Sequence, residues 1–500
     1  MNPFHVFVVI AGYFSILLFI SYLTARKSNS ATFYTANRKS PWYVVAFGMI
    51  GASISGVTFI SVPGEVGNSF FTYFQMVMGY LVGYMVIINI LLPLYYKLNL
   101  VSIYTYLEKR FGFFSYKTGA SFFMISRLLG SSLRLFLVVT VLQLAFFSKL
   151  GIPFELTVIT IILLIWLITF KAGIKTIVWT DIFQTTFMLG ALVISILIIS
   201  NELNLGFSDI FKEVYQSSHS KIFEWDWHSS RNFFNNFFAG AFITIVMTGL
   251  DQEMMQKNLT CRNLKDAQKN MFWFSLSLIP VNLLFLSLGA LLYLYINQTG
   301  LAFGADSFHY SQEALKYINT DKLYPELALY HFGSLSAIIF ILGIIAAALP
   351  SADAALTALT TTFVVDILGL DISKESKITQ RKKMIVHICF SILTFFTILI
   401  FKWINDDSVI NAVFTIAGYT YGPLLGLYAF GLFSKRLVKD RFVPMIAILS
   451  PLLTLLINIY SKAFLGYKFG FMVLIINGLI MFLGLLAFSR NKEILVDQNN

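Results

Sequence analysis

Charged side chains are scarce in this chain: they make up 12% of its 500 residues, against 57% hydrophobic ones. An ordinary globular domain carries about 25% charge and keeps it on its surface, so a soluble core is excluded. Cysteine is almost absent. The two present, Cys261 and Cys389, supply no disulfide framework and read as incidental free thiols. The six histidines form no H-E-x-x-H pattern, and none stands at ligand spacing from another, which argues against a metal centre. No nucleophile, base and orienting group gather at one depth, so the chain does not read as an enzyme.

What fills the chain instead is apolar runs, with a mean hydropathy of +0.75. They are about 20 residues long, as a hydrocarbon layer about 30 Å thick demands of a helix rising about 1.5 Å per residue. Thirteen spans are expected, near 4–24, 42–62, 70–96, 118–147, 153–171, 176–200, 232–250, 271–296, 332–367, 384–402, 409–433, 442–461 and 469–489. The fold class is therefore all-α and integral to a membrane. The first span has no basic residue before it and no small-residue cleavage site after it, and reads as a retained helix.

The net charge of +11 is a topology signal rather than a sign of a nucleic-acid partner. With the N-terminus outside, the segments 25–41, 97–117, 171–175, 251–270, 368–383, 434–441 and 490–500 face the cytoplasm and hold 25 of the 36 lysines and arginines. That is the positive-inside pattern. The C-terminus is then inside, ending in a polar tail from Ser489. Two external segments, 201–231 and 297–331, are long enough to form lids over a vestibule or to be solvated connectors.

Irregular helices point to a pathway. Gly48, Gly51, Ser53, Ser55 and Gly56 cluster in the second span, followed by Pro63 and Gly64. They weaken a helix where lipid cannot replace a lost hydrogen bond, and such a break is tolerated where it lines a cavity. Freed carbonyls become ion ligands there, unless the small residues only pack helices closely. An inverted repeat of five-helix units calls for a counterpart five spans later, and the span from Arg231 carries Gly240 and Gly249 and runs into Asp251. In the ninth span Pro350 opens the helix beside Ser351, with Asp353 next.

Charges inside spans are costly and so mark function or pairing. Asp181 is read as part of a sodium or proton site, or as a carboxylate paired with Lys175 or a helix terminus. Arg127 and Arg134, seven residues apart, share a helical face. At about 1.5 Å per residue from Lys117, Arg127 lies near the bilayer centre. An arginine fork at that depth suits a carboxylate, from a substrate or from the protein itself.

These residues resemble the sodium/solute symporter family. The likeness rests on Gly51 to Phe59, Pro63-Gly64-Glu65-Val66, Tyr106-Leu107-Glu108-Lys109-Arg110-Phe111-Gly112, Trp179-Thr180-Asp181 to Gln184, Asp251-Gln252 with Gln256, and Ala348 to Ser351. It implies a retained helix at 4–24, a first repeat over 42–200, an inverted second repeat over 232–433, C-terminal helices over 442–489 and a tail over 490–500. It also implies a sodium site between the carbonyls of Gly51, Ile54 and Ala348 and the hydroxyl of Ser351. Most members place a second hydroxyl after that serine, where this chain has Ala352 and then Asp353, a carboxylate that would replace the ligand or couple a proton. A further site in some members uses hydroxyls at positions that are Ala354 and Ala355 here, together with the aspartate matching Asp181. Ser53, Ser55, Thr58, Gln75 and Arg127 look like counterparts of the substrate residues of the sialic-acid carriers. The resemblance thus implies a sodium-coupled symporter for an anionic solute such as a sugar acid. The alternatives are a neutral sugar or amino acid, proton coupling, a transporter-like sensor or a channel. Sodium, a small solute and the lipid bilayer are the expected partners, with no obligate protein partner indicated.

Overall fold

The computed structural model describes residues 3–25, 36–100, 102–169, 174–301, 320–370, 377–404, 408–466 and 469–491. Most of the 297–331 segment and of the C-terminal tail lies outside them.

Helix α1 (Pro3–Ala25) precedes α2 (Trp42–Ser53), α3 (Gly56–Ser69), α4 (Tyr73–Val86), α5 (Phe113–Ala145), α6 (Phe154–Thr169) and α7 (Ile174–Glu202). A short surface helix, α8 (Phe207–Gln216), leads to α9 (Phe233–Thr244), α10 (Gln252–Asn258), α11 (Leu264–Thr299) and α12 (Gly333–Thr362). The chain ends with α13 (Lys377–Ile404), α14 (Val409–Thr420), α15 (Gly422–Phe433), α16 (Val443–Leu465) and α17 (Val473–Ala487). Among the described residues the strands are two-residue stubs, Leu437–Val438 pairing antiparallel with Ser489–Arg490. Nine helical stretches among those residues are long and apolar enough to cross a membrane, and α9 with α10 forms a bent pair that is apolar enough when taken together.

The breaks have local causes. At the end of α2, Ile54 (φ −86°, ψ 88°) leaves helical geometry and Ser55 (φ −81°, ψ 176°) is extended before α3 begins. Glycine and serine flank this point on both sides, so helix propensity is at its lowest there. The counterpart expected at Asp251 is more abrupt: α9 continues as a π-helical turn to Gly249, and α10 departs at 71°. Asp251 caps α10 by accepting from the backbone N–H groups of Glu253 and Met254 at 2.9 and 3.2 Å. Two span boundaries differ from the sequence expectation. The second span runs on to Ser69 beyond its break, and the stretch 409–433 is two helices, because Pro423 starts a new one after Tyr421.

Glycine sets the crossing of α4 with α9. A Cβ on Gly79 would stand 2.0 Å from the carbonyl oxygen of Phe237, and one on Gly240 would stand 2.2 Å from that of Met76. The two backbones touch, in the small-residue packing typical of lipid-embedded helices. Gly79→Val and Gly240→Val should each abolish most of the monodisperse peak on size-exclusion chromatography in detergent. Gly190→Val, where nothing lies within 4 Å, should elute like the parent protein.

Candidate functional site

The helix break meets α12. A Cβ on Gly56 would stand 2.6 Å from Val138 of α5 and 3.9 Å from the Cβ of Ala348 in α12, so the first turn of α3 sits directly against the Ala348–Ser351 segment. The Ser351 hydroxyl donates to the Ala348 carbonyl at 3.1 Å, which brings two of the four expected sodium ligands together. From the other side α7 closes on α2. A Cβ on Gly51 would stand 2.2 Å from the Thr185 hydroxyl, and one on Gly48 would stand 3.1 Å from the Cβ of Asp181. Gly51 and Ile54 therefore lie at an open helix end sandwiched between α7 and α12. Thr185 and Gln184 are buried there without hydrogen-bond partners. Thr185 did not stand out in the sequence, and Gln184 only as the end of a family motif, because a polar residue in a span declares its depth and not the helix it faces.

Charge is concentrated below the break. Lys257, 1% exposed, donates to Asp181 at 2.7 Å and stands 3.6 Å from Glu253, its neighbour one turn back on α10. Glu253 also pairs with Arg127, whose guanidinium lies 3.5 Å from Asp251. Asp251 in turn accepts from the Tyr421 hydroxyl at 3.0 Å. One buried network thus ties α10 to α5, α7 and the α14–α15 junction. Asp181 is thus paired with Lys257, a partner the sequence reading, which named Lys175 or a helix terminus, did not offer. Asp353, 2% exposed, lies within electrostatic reach of Asp181 and Lys257, and its Oδ1 has no partner. Counting Asp353, four carboxylates face two cations.

Above the network lies a cavity of about 100 Å³. Ser53, Ser55 and Thr58 from the break line it, with Arg127 and Arg134 from α5. Tyr73, Tyr80 and Tyr84 form a wall of α4, and the Tyr73 and Tyr80 hydroxyls are 3.1 Å apart. The two arginines differ. Arg127 is neutralised by Glu253 and Asp251, whereas Arg134 has no carboxylate partner among the described residues. Gln75 is not among the residues lining the cavity. Its amide donates to the Thr72 and Arg231 carbonyls at 3.1 Å and accepts from the Glu224 N–H at 3.3 Å, anchoring the 201–231 segment. A second cavity, of about 210 Å³, is lined by Glu65, Arg231, Asn236 and Asn411 and shares only Tyr73 with the first. Tyr73 stacks on Phe414, with ring centroids 6.5 Å apart, and this pair divides the two spaces.

A profile of the Sodium:solute symporter family matches residues 33–441. A sodium/sialic acid symporter of Proteus mirabilis, SiaT, is 24% identical over 445 residues, covering 86% of this chain and 85% of the relative. Another, NanT of Aliivibrio fischeri, is 24% identical over 447 residues, covering 86% and 83%. A solved structure of a sodium-coupled sialic acid symporter, substrate-bound and outward-open, has the same fold, with a TM-score of 0.79 at 20% identity over 97% of this chain and 99% of the other. The nucleobase-cation symporter Mhp1 in a closed conformation gives a TM-score of 0.58 at 12% identity over 91% and 93%.

Removing one member of a buried ion pair strands the other charge, at a cost of about 3–5 kcal/mol. Lys257→Met should therefore lower the melting temperature of the detergent-solubilised protein sharply. The double variant Lys257→Met with Asp181→Asn should recover most of that loss, and equal losses in the two variants would mean that the pair is not coupled.

Proposed function

The chain belongs to the sodium:solute symporter family, and we propose that the solute it carries with sodium is an anionic sugar acid of the sialic acid class, held by Arg134. The observation that carries this reading is the unpaired guanidinium of Arg134 in a cavity walled by hydroxyls. A buried cation without a counterion is costly. A carboxylate on Arg134 offsets that cost, while Ser53, Ser55, Thr58 and the tyrosine wall suit a polyhydroxylated body. The substrates of SiaT and NanT agree with this choice. On this reading Arg127 is a positioning residue, because its own fork is occupied.

Sodium is the co-transported ion. In the proposed site it takes the carbonyls of Gly51, Ile54 and Ala348 and the hydroxyl of Ser351, bridging the broken second span to α12, with Asp353 and Asp181 supplying negative potential nearby. Filling that gap stiffens the helix end that also presents Ser53 and Ser55, so each ligand favours the conformation the other binds. The cavity of about 100 Å³ is small beside the roughly 300 Å³ at which ligand pockets begin. Swinging Tyr73 away from Phe414 joins it to the neighbouring space of about 210 Å³, which makes this aromatic pair the proposed outer gate. The wider frame proposed is thirteen spans in an inverted repeat, with 42–200 and 232–433 as its halves, the N-terminus outside and the C-terminus in the cytoplasm, as the distribution of lysine and arginine supports.

In proteoliposomes an inward sodium gradient should drive sialic acid accumulation, and uptake indifferent to that gradient would refute the reading. A hydrogen bond to a charged group contributes about 1.5–3 kcal/mol, so Arg134→Gln should raise the KM for sialic acid about 10- to 100-fold. Ser351→Ala should instead raise the sodium concentration for half-maximal uptake.

A further inference from the structure

Helix α8 follows α7 after only four residues, Leu203 to Gly206, a reach of at most about 14 Å. Since α7 is long and apolar enough to cross the membrane, α8 must lie close to the surface of the leaflet in which α7 ends. Its residues divide sharply. Phe207, Phe211 and Tyr215 recur at i, i+4 and i+8 and are 73%, 64% and 86% exposed, one stripe along the helix. Ile210 beside them is buried against the protein, while Asp209, Glu213 and Gln216 lie on the opposite side and Lys212 stands about 100° around the helix from the middle of the stripe. We propose that α8 lies in the membrane plane, with Phe207, Phe211 and Tyr215 inserted at the boundary between lipid headgroups and acyl chains.

Three observations favour lipid over another occupant. The outer half of α7 already exposes Val193, Ile194 and Leu197, so the apolar stripe continues a surface that faces lipid. Three aromatic side chains bury about 150–250 Å² each at most, which falls short of the roughly 800 Å² per partner of a stable protein interface. A further aromatic group stands where the chain re-enters the bilayer: Trp227 stacks on Phe234 of α9 at 5.3 Å, and Trp225, 57% exposed, lies against Phe233. Aromatic residues concentrate at such interfaces. The helix carries one lysine against two acidic residues, so its docking does not depend on anionic lipid.

Between the two aromatic anchors the chain is tied to the α3–α4 corner and to α11: the Phe71 N–H donates to the Lys221 carbonyl at 3.1 Å, the Glu224 N–H donates to Gln75, and His219 stacks on Tyr293 of α11 at 5.2 Å. Lipid thus holds both ends of a segment whose middle is fastened to the protein.

Spin labels test the proposal. In a Cys389→Ser background, Tyr215→Cys, Phe211→Cys and Lys212→Cys are labelled separately and reconstituted in phosphatidylcholine vesicles, with and without phosphatidylglycerol. Buried Cys261 stays unlabelled, because burial pushes its thiol up to about 12. Collisions with oxygen should exceed those with a water-soluble nickel complex at 211 and 215, at a depth of about 5–10 Å, and the order should reverse at 212, equally in both lipids. Nickel access at 211 and 215 equal to that at 212 would overturn the proposal. So would dipolar broadening between labels on two copies, or insertion only with phosphatidylglycerol.

Discussion

Hydrocarbon offers a backbone no hydrogen bonds, so an interrupted helix survives in it only where other helices close around the interruption. The gap at Ile54 and Ser55 meets that condition on three sides. Val138 of α5 and Ala348 of α12 stand against Gly56, and Thr185 of α7 stands against Gly51. Any side chain larger than hydrogen at either glycine would push these walls apart. The rest of the site follows from this enclosure: the start of α3 is held against Ala348 of α12, and Ser53 and Ser55 line the cavity that Arg134 also lines.

The charges beneath the cavity are not a device for stability. Burying Lys257 with Asp181, and Arg127 with Glu253 and Asp251, removes strongly hydrated groups from water, and such pairs at best break even against apolar packing. Their cost makes sense as positioning. The network fastens the short helix after the 71° bend to α5 and α7 at once. Separating α10 from α5 breaks the Arg127 pairs, and separating it from α7 breaks the pair between Lys257 and Asp181. Opening toward that side therefore has a definite electrostatic barrier, which a bound cation near Asp353 would alter.

Much of this was legible in the chain. Hydropathy identified an integral membrane protein, the Gly51 to Gly56 cluster marked the break, and Gly249 with Asp251 marked the second one, whereas the opening expected at Pro350 is not found, because α12 runs as one helix from Gly333 to Thr362. Helical spacing put Arg127 and Arg134 on one face, and both line the cavity. Their inequality was not legible. Arg127 lost its availability to Glu253, 126 positions away and on another helix, and Asp181 found Lys257, 76 positions away. Periodicity reports which residues share a face but not what that face meets. For the same reason Gln75, in the right span, is spent on backbone carbonyls, while Tyr73, Tyr80 and Tyr84 went unremarked as ordinary span aromatics. The division at Tyr421 was hidden because both halves of 409–433 are equally apolar.

On the proposed reading the sodium site and the solute cavity share one helix break and are therefore linked in free energy. Linkage is reciprocal by necessity. The direct test is a pair of equilibrium titrations on the purified protein: the Kd of sialic acid with sodium and with potassium, and the Kd of sodium with and without sialic acid. Each ligand should tighten the other by the same factor, and Ser351→Ala should diminish both factors together. Sialic acid binding of equal strength in sodium and potassium would contradict it.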